Sequence, residues 1–234
     1  METIRRSDER GFTDHGWLKS FHTFSFGDYF DPAHVDFGAL RVINEDRVEP
    51  DNGFGTHSHS DVEIISYVLS GELAHRDSLG HGSIIKPGDV QRISAGRGIL
   101  HSEYNPSLSH ETHFLQIWID SNVHGIAPSY EEKHFSDAER KGRLRLIVSP
   151  DRADGSLLMH QDARLYAGTF NGGEHAEMTF QSARRIYVHL ARGHLTANHI
   201  ALAGGDALQI VDTDRLTLEG GVGAEVLVFE LPGG

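Results

Sequence analysis

Hydrophobic and polar positions along this chain fall into short runs rich in Val, Ile, Leu, Phe and Tyr, each closed by Gly, Pro, Asn or Asp. That pattern predicts β-strands joined by turns. Strands are expected over Gly38 to Val48, through Val62 to Val68, and on both sides of the Pro87-Gly88 turn, from Ile84 to Val90. Thr112 to Asp120 is almost continuously apolar, as expected of a strand buried on both faces. A short helix is predicted at Ser136 to Arg140, where Ser136 and Glu139 have capping-box spacing. It lies within Gly125 to Arg143, which reads as a linker between halves. Trp17, Phe21, Phe24, Phe26, Tyr29 and Phe30 crowd residues 1–37. They suggest an arm packed against a barrel as part of its core; the alternative is that part of this arm walls a ligand pocket.

The second half repeats the first in worn form. Ile186 to Leu195 echoes Ile65 to Leu73, and Ala203 to Ile210 echoes Lys86 to Ile93. Recurring strand–turn–strand units predict two barrels of one type. The expected division is 1–134 and 135–234.

The polar positions carry the chemistry. In Gly53-Phe54-Gly55-Thr56-His57-Ser58-His59-Ser60-Asp61-Val62-Glu63, two histidines stand two apart at the head of a strand. If the strand is continuous, period-two alternation puts His57, His59, Asp61, Glu63, Ile65 and Tyr67 on one face. His101 and Glu103 have the same spacing after Gly96-Arg97-Gly98. A short meander through the Pro-Gly turn can bring the pairs together. The expected constellation is His57, His59, His101 and Glu103, binding one metal ion. Imidazoles with one carboxylate suit Fe(II), Ni, Cu, Mn or Zn, and four protein ligands leave positions open for water, dioxygen or a substrate oxygen. Phe24, Phe54, Ile65 and Tyr67 are candidate walls for a flat organic ligand. The repeat lacks these ligands, so the second barrel is expected to be metal-free, with structural roles for His175, His189, His194 and His199. Asn105 is expected to fix a turn; His110 and His113 flank the Thr112 strand.

The net charge of −13 and the lack of a basic stripe argue against nucleic acid. No apolar run reaches membrane-spanning length, and Met1 to Arg6 does not resemble a signal peptide, so a cytoplasmic location is expected. With no cysteine there are no disulfides or thiolate ligands.

The order of His-X-His-X3-Glu, Pro-Gly-Asp and His101-Ser102-Glu103 resembles the two cupin motifs, over Gly53 to Gly71 and Pro87 to Asn105. His101-Ser102-Glu103, Gly16 to Tyr29, Leu40 to Asp46, Gln116 to Ile119 and Glu225 to Pro232 resemble the pirin branch, near the bacterial pirin-like quercetin 2,3-dioxygenases. The resemblance implies an all-β bicupin: two jelly-roll β-barrels packed together, with the arm and a short helical linker. It also implies iron in the N-terminal barrel and dioxygenation of a flavonol, a small aromatic polyphenol, with release of carbon monoxide. Glu103 would be both ligand and catalytic base, with Glu63 behind the ligands. Alternatives that share this fold are a redox-responsive interaction protein with a protein partner, and a cupin enzyme acting on an unrelated substrate.

Overall fold

The computed structural model describes residues 1–181, 183–211 and 214–233. Strand makes up 58% and helix 4%, so the chain is all-β, with two cupin-type domains. No helix among the described residues is long and apolar enough to cross a membrane. One compact unit comprises Gly11–His134 with Leu157–Gln161; the other comprises Met1–Arg10, Phe135–Ser156 and the chain from Asp162 onward.

In chain order the strands begin with β1 (Glu2–Arg5), β2 (Gly11–Asp14), β3 (Leu18–His22), β4 (Leu40–Val48), β5 (Gly53–His59) and β6 (Val62–Ser70). There follow β7 (Leu73–Asp77), β8 (Gly82–Ile85), β9 (Asp89–Ser94), β10 (Ile99–Tyr104), β11 (Thr112–Asp120) and β12 (Ser129–His134). The helix α1 (Asp137–Arg140) is as short as its sequence suggests, and the Ser136 N–H donates to Glu139 Oε2 at 2.8 Å. Beyond it lie β13 (Arg145–Ser149), β14 (Leu157–Leu158), β15 (Arg164–Phe170), β16 (Ala176–Thr179), β17 (Arg185–Ala197), β18 (Ile200–Ala203), β19 (Ala207–Ile210) and β20 (Arg215–Leu231).

The first of these units is a sandwich of two sheets. One has the order β12-β9-β6-β11-β4-β3-β2, the other β5-β10-β7-β8. β6 and β11 lie in the middle of the larger sheet, which is why their sequences are nearly continuous in apolar character. Val68, Phe114, Leu18 and Val48 of the larger sheet close the interior against Leu73 and Ile85 of the smaller.

In the other unit the sheet runs β1-β19-β17-β20-β15-β13, with β16 on β20 and β18 on β17. Its core includes Ile186, Val188, Leu190, Leu208, Val226 and Val228. The repeat is visible in backbone geometry. β6 pairs antiparallel with β9 as β17 does with β19. Gly71 and Gly193 have φ of 77° and 79°, and Gly88 and Gly205 have 94° and 88°. These are left-handed conformations that favour glycine at both pairs of turns.

Four expectations are corrected by the structure. Met1–Arg10 does not belong to the 1–134 unit, because β1 pairs with β19. Leu157–Gln161 falls with the N-terminal unit and not with 135–234. The remainder of the expected arm is part of the larger sheet, where β2 pairs with β3 and β3 with β4. The strand expected from His57 through Tyr67 is also broken. Asp61 has φ of 50°, donates its N–H to the Gly96 carbonyl at 2.8 Å and accepts from the Gly125 N–H at 2.7 Å. Asp tolerates this left-handed conformation better than most residues. The corner carries the chain from the smaller sheet into the larger and resets the alternation of faces.

Candidate metal centre and its pocket

β10 lies between β5 and β7, and its inward face gathers residues from both neighbours. His101 is directly opposite His57 on one side and Asp77 on the other; Ile99 is opposite His59. The pairing slips by one residue between His101–His57 and Glu103–Phe54, a bulge on β5. Phe54 and His57 are three apart in sequence, yet both line the same cavity.

The three imidazoles converge. Ring centroids are 4.4 Å apart for His57–His101, 4.8 Å for His57–His59 and 4.9 Å for His59–His101. One ring nitrogen from each lies within 4.8 Å of the others. The His57 Nδ1–H donates to the Gly55 carbonyl at 2.8 Å, which leaves the Nε2 lone pair for a ligand. His101 is buried, and neither of its nitrogens has a hydrogen-bond partner. Burial and the neighbouring His57 lower the His59 pKa to about 4. Burial, then the charges of His57, His59 and His75, lower His101 to about 3. These rings are therefore neutral at pH 7, with lone pairs available. Leaving such buried polar atoms unsatisfied costs about 1–3 kcal/mol each. A cation satisfies them, so the donor set fits one divalent transition-metal ion.

Glu103, expected as the fourth ligand, shares the inward face of β10 but is not drawn into the triad. It accepts from Ser66 Oγ at 3.0 Å and from Gln116 Nε2 at 2.5 Å. Burial, with the Asp46 charge adding to it, raises its pKa to about 7 against the opposing hydrogen bonds of Ser66 and Gln116. Glu63 is not behind the ligands. After the Asp61 corner the even residues of β6 face the interior, and Glu63 accepts instead from Ser94 Oγ at 2.7 Å. The same shift of parity removes Ile65 and Tyr67 from the cavity, and Phe24 is also core; of the four expected walls Phe54 alone lines it.

The cavity, about 320 Å³, is lined on its apolar side by Leu18, Phe26, Phe54 and Trp118. Trp118 meets His59 edge-on at 4.8 Å and Phe26 at 5.4 Å. Its polar wall comes from alternate positions of β3, β4 and β11. Ser20 donates to Asp46 at 2.5 Å, and His22 Nδ1 faces Asn44 Oδ1 at 2.8 Å. Asp46 has its pKa raised to about 7 by burial, with Glu45 adding to it and Ser20 opposing. Sequence reasoning does not single out Ser20, His22, Asn44, Asp46, Gln116 or Trp118 as walls of the site. The signal it offers is the pair Asn44 and Asp46 on a strand face whose other positions, Leu40, Val42 and Val48, are apolar.

Other expectations resolve simply. Asn105 fixes its turn, with Nδ2 donating to the carbonyls of Val48 and His110 at 2.9 Å each. His113 contacts Glu45 at 2.9 Å, away from the cavity. Among the described residues the convergent group of three or more metal-ligating side chains is His57, His59 and His101.

Residues 3–119 match the Pirin family, and residues 146–231 match the quercetinase C-terminal cupin domain. The chain is 43% identical over 232 residues to quercetin 2,3-dioxygenase of Escherichia coli, covering 99% of each. It superposes on the crystal structure of Escherichia coli YhhW with a TM-score of 0.96 and 42% identity, covering 100% of this chain and 99% of that one. A second crystal structure, of bacterial pirin YhhW in complex with nickel(II), superposes with a TM-score of 0.95 and 42% identity over 100% of both chains.

Proposed function

The chain belongs to the pirin family, and from that membership we propose that it is a metal-dependent dioxygenase of flavonols such as quercetin. The reaction joins the flavonol and dioxygen, opens the central ring and expels one ring carbon as carbon monoxide. The observation that carries the reading is the convergence of His57, His59 and His101 beside a cavity with flat apolar walls. The name quercetin 2,3-dioxygenase, borne by a relative matched along 99% of its length, supports it.

His57, His59 and His101 would hold the ion, with Glu103 as a fourth ligand released from Gln116. We take the native ion to be Fe(II), as the family resemblance implies; the nickel(II) complex of the Escherichia coli relative supports a site open to other divalent ions. When bound, the ion supplies Lewis acidity toward a substrate oxygen and a route for dioxygen chemistry. The remaining work belongs to the protein. Phe54, Phe26 and Trp118 orient a planar substrate by contact with its faces and edges, which lowers the barrier by positioning. Glu103 accepts the proton of the flavonol 3-hydroxyl. A carboxylate whose pKa is raised to about 7 is a stronger base than an exposed one once it is ionised. Ser66 and Gln116 hold that carboxylate at the pocket wall.

The test is oxygen uptake and carbon monoxide release by the metal-loaded protein with a panel of flavonols. Consumption of oxygen with equimolar carbon monoxide is expected. Absence of both with every divalent metal tried would rule the reading out.

A further inference from the structure

Beside His101, outside the lining of the cavity, lies a second polar group. His75 stands opposite Glu103 and Asp77 opposite His101 on β7, so both face inward beside β10. Their side chains are fully buried. Asp77 Oδ2 lies 3.1 Å from His75 Nε2 and 3.1 Å from His81 Nδ1, and Asp77 Oδ1 accepts from the backbone N–H of Leu79 and His81. Burial pushes the Asp77 carboxyl up, but the hydrogen bonds from His75, His81 and Leu79 outweigh it and hold the group below its ordinary value. Two backbone N–H groups on Oδ1 and two imidazole nitrogens on Oδ2 make Asp77 the acceptor toward its neighbours. His75 then carries its proton on Nε2, and its Nδ1 is a lone pair in need of a donor.

No hydrogen bond among the described residues satisfies that lone pair. His75 Nδ1 is buried without a partner, as are both nitrogens of His101. The two rings stand 5.5 Å apart, centroid to centroid, tilted by 55° and without a hydrogen bond between them. An imidazole N–H···N bond of about 3.0 Å holds ring centroids roughly 5.3 Å apart when the nitrogens face each other, so rotation of the rings within this spacing makes the bond. Donors and acceptors also balance. A neutral His101 has one lone pair and one N–H. If the lone pair goes to the ion, the N–H needs an acceptor, and the His75 Nδ1 lone pair needs a donor.

We infer that His75 is a positioning residue for the metal centre: it accepts the second ring N–H of His101 and passes that bond to Asp77, in a chain Asp77–His75–His101. The inference rests on the reading of His57, His59 and His101 as a metal site. Through this chain the Asp77 carboxylate raises the basicity of His101 and fixes the tautomer and ring angle of that ligand. Tyr130 secures the arrangement. Its ring stacks on His75 and on His81, each at 4.9 Å, and its hydroxyl lies 2.5 Å from Ser83 Oγ. Other hydrogen-bond partners of metal-binding histidines typically contribute about 10–100-fold in affinity.

The test measures nickel(II) affinity by chelator competition for the whole chain and three variants. His75→Phe keeps the stack on Tyr130 and removes Nδ1; it should weaken nickel(II) binding by about 10–100-fold. His75→Gln offers an amide oxygen to His101 and an N–H to Asp77, and should restore much of the loss. Asp77→Asn can donate to His75 and so reverse its tautomer; it should weaken binding in the same sense. Parent-like affinity in His75→Phe overturns the inference. A second measurement does not require the variants to fold. Nitrogen-15 spectra of the metal-free parent should show His75 Nδ1 unprotonated and coupled across a hydrogen bond to the ring N–H of His101. A protonated Nδ1, or no coupling, overturns the inference. A parent that binds no nickel(II) or other divalent ion defeats the metal reading instead, and the spectra still decide whether the chain exists.

Discussion

Gln116 Nε2 donates to Glu103 Oε2 at 2.5 Å, joining the middle of β11 to β10 across the sandwich. The bond holds a carboxylate beside the three imidazoles of His57, His59 and His101 without letting it join them. On the function proposed above, Glu103 would exchange between this amide and a bound metal ion.

Glu103→Gln tests that exchange. The variant keeps the volume and the three imidazoles but removes the base. We expect it to retain much of its metal and to lose flavonol turnover by roughly 10²–10⁴-fold. A substrate already deprotonated at raised pH should recover part of the rate. Turnover at the parent rate with metal bound would make Glu103 a spectator.

Acid should strip the metal later than ordinary imidazoles allow. Free imidazole titrates at ~6.5, and on that basis binding would weaken below about pH 6. Burial lowers His59 to about 4 and His101 to about 3. Protons compete for a ligand only below its pKa, so these two rings remain available down to that range. Nickel(II) occupancy followed by equilibrium dialysis should persist at about pH 5 and fall as pH drops toward 3. Loss of the metal complete by about pH 6 would contradict the burial argument.

In the metal-free protein Asp46 should contribute a pH dependence that favours mild acid over mild base, against the opposite contribution of the buried His59 and His101. Asp46 has a folded pKa of about 7 against an ordinary 3.8. A raised folded pKa means that the folded state holds its proton longer than the unfolded state does. The stabilising contribution is therefore full below about pH 4 and is lost as pH rises through 7. Asp46→Asn should flatten this dependence by an amount on the order of a few kcal/mol, since a tenfold difference in proton affinity between folded and unfolded states is worth ~1.4 kcal/mol. Urea unfolding at about pH 5 and pH 8 measures it. Equal slopes in parent and variant would remove Asp46 as the cause.

Gly53→Ala probes how the site is held. Gly53 is opposite Tyr104 at the start of β5, and an added Cβ would lie 2.3 Å from the Glu103 carbonyl oxygen and 2.5 Å from Tyr104 Cα. Both obstacles are backbone, so β5 and β10 must part. A cost of about 1–3 kcal/mol is expected, together with weaker metal binding, because the same pairing sets His57 opposite His101. Thermal unfolding and nickel(II) titration check the two effects. An unchanged melting temperature would show that the strands yield freely.

The sequence by itself determined the histidines of the site and the duplicated architecture. Alternation along a strand is a local property of the backbone, so His57 with His59 and His101 with Glu103 could be assigned shared faces without the fold. Turn glycines are equally local: Gly71 with Gly193 and Gly88 with Gly205 mark the same turns in both halves because few other residues accept φ near those values. Tertiary structure decided what locality does not carry. The left-handed Asp61 moves the chain between sheets, and every parity argument beyond it changes sign, which takes Glu63, Ile65 and Tyr67 out of the site. Ser20, Asp46 and Gln116 reach the cavity from β3, β4 and β11, strands far apart in the chain and adjacent only through sheet pairing. Whether Glu103 turns to the histidines or to Gln116 depends on a hydrogen bond across the sandwich. Met1–Arg10 lies with the second half because the unpaired edge of β19 offers it a ladder of hydrogen bonds.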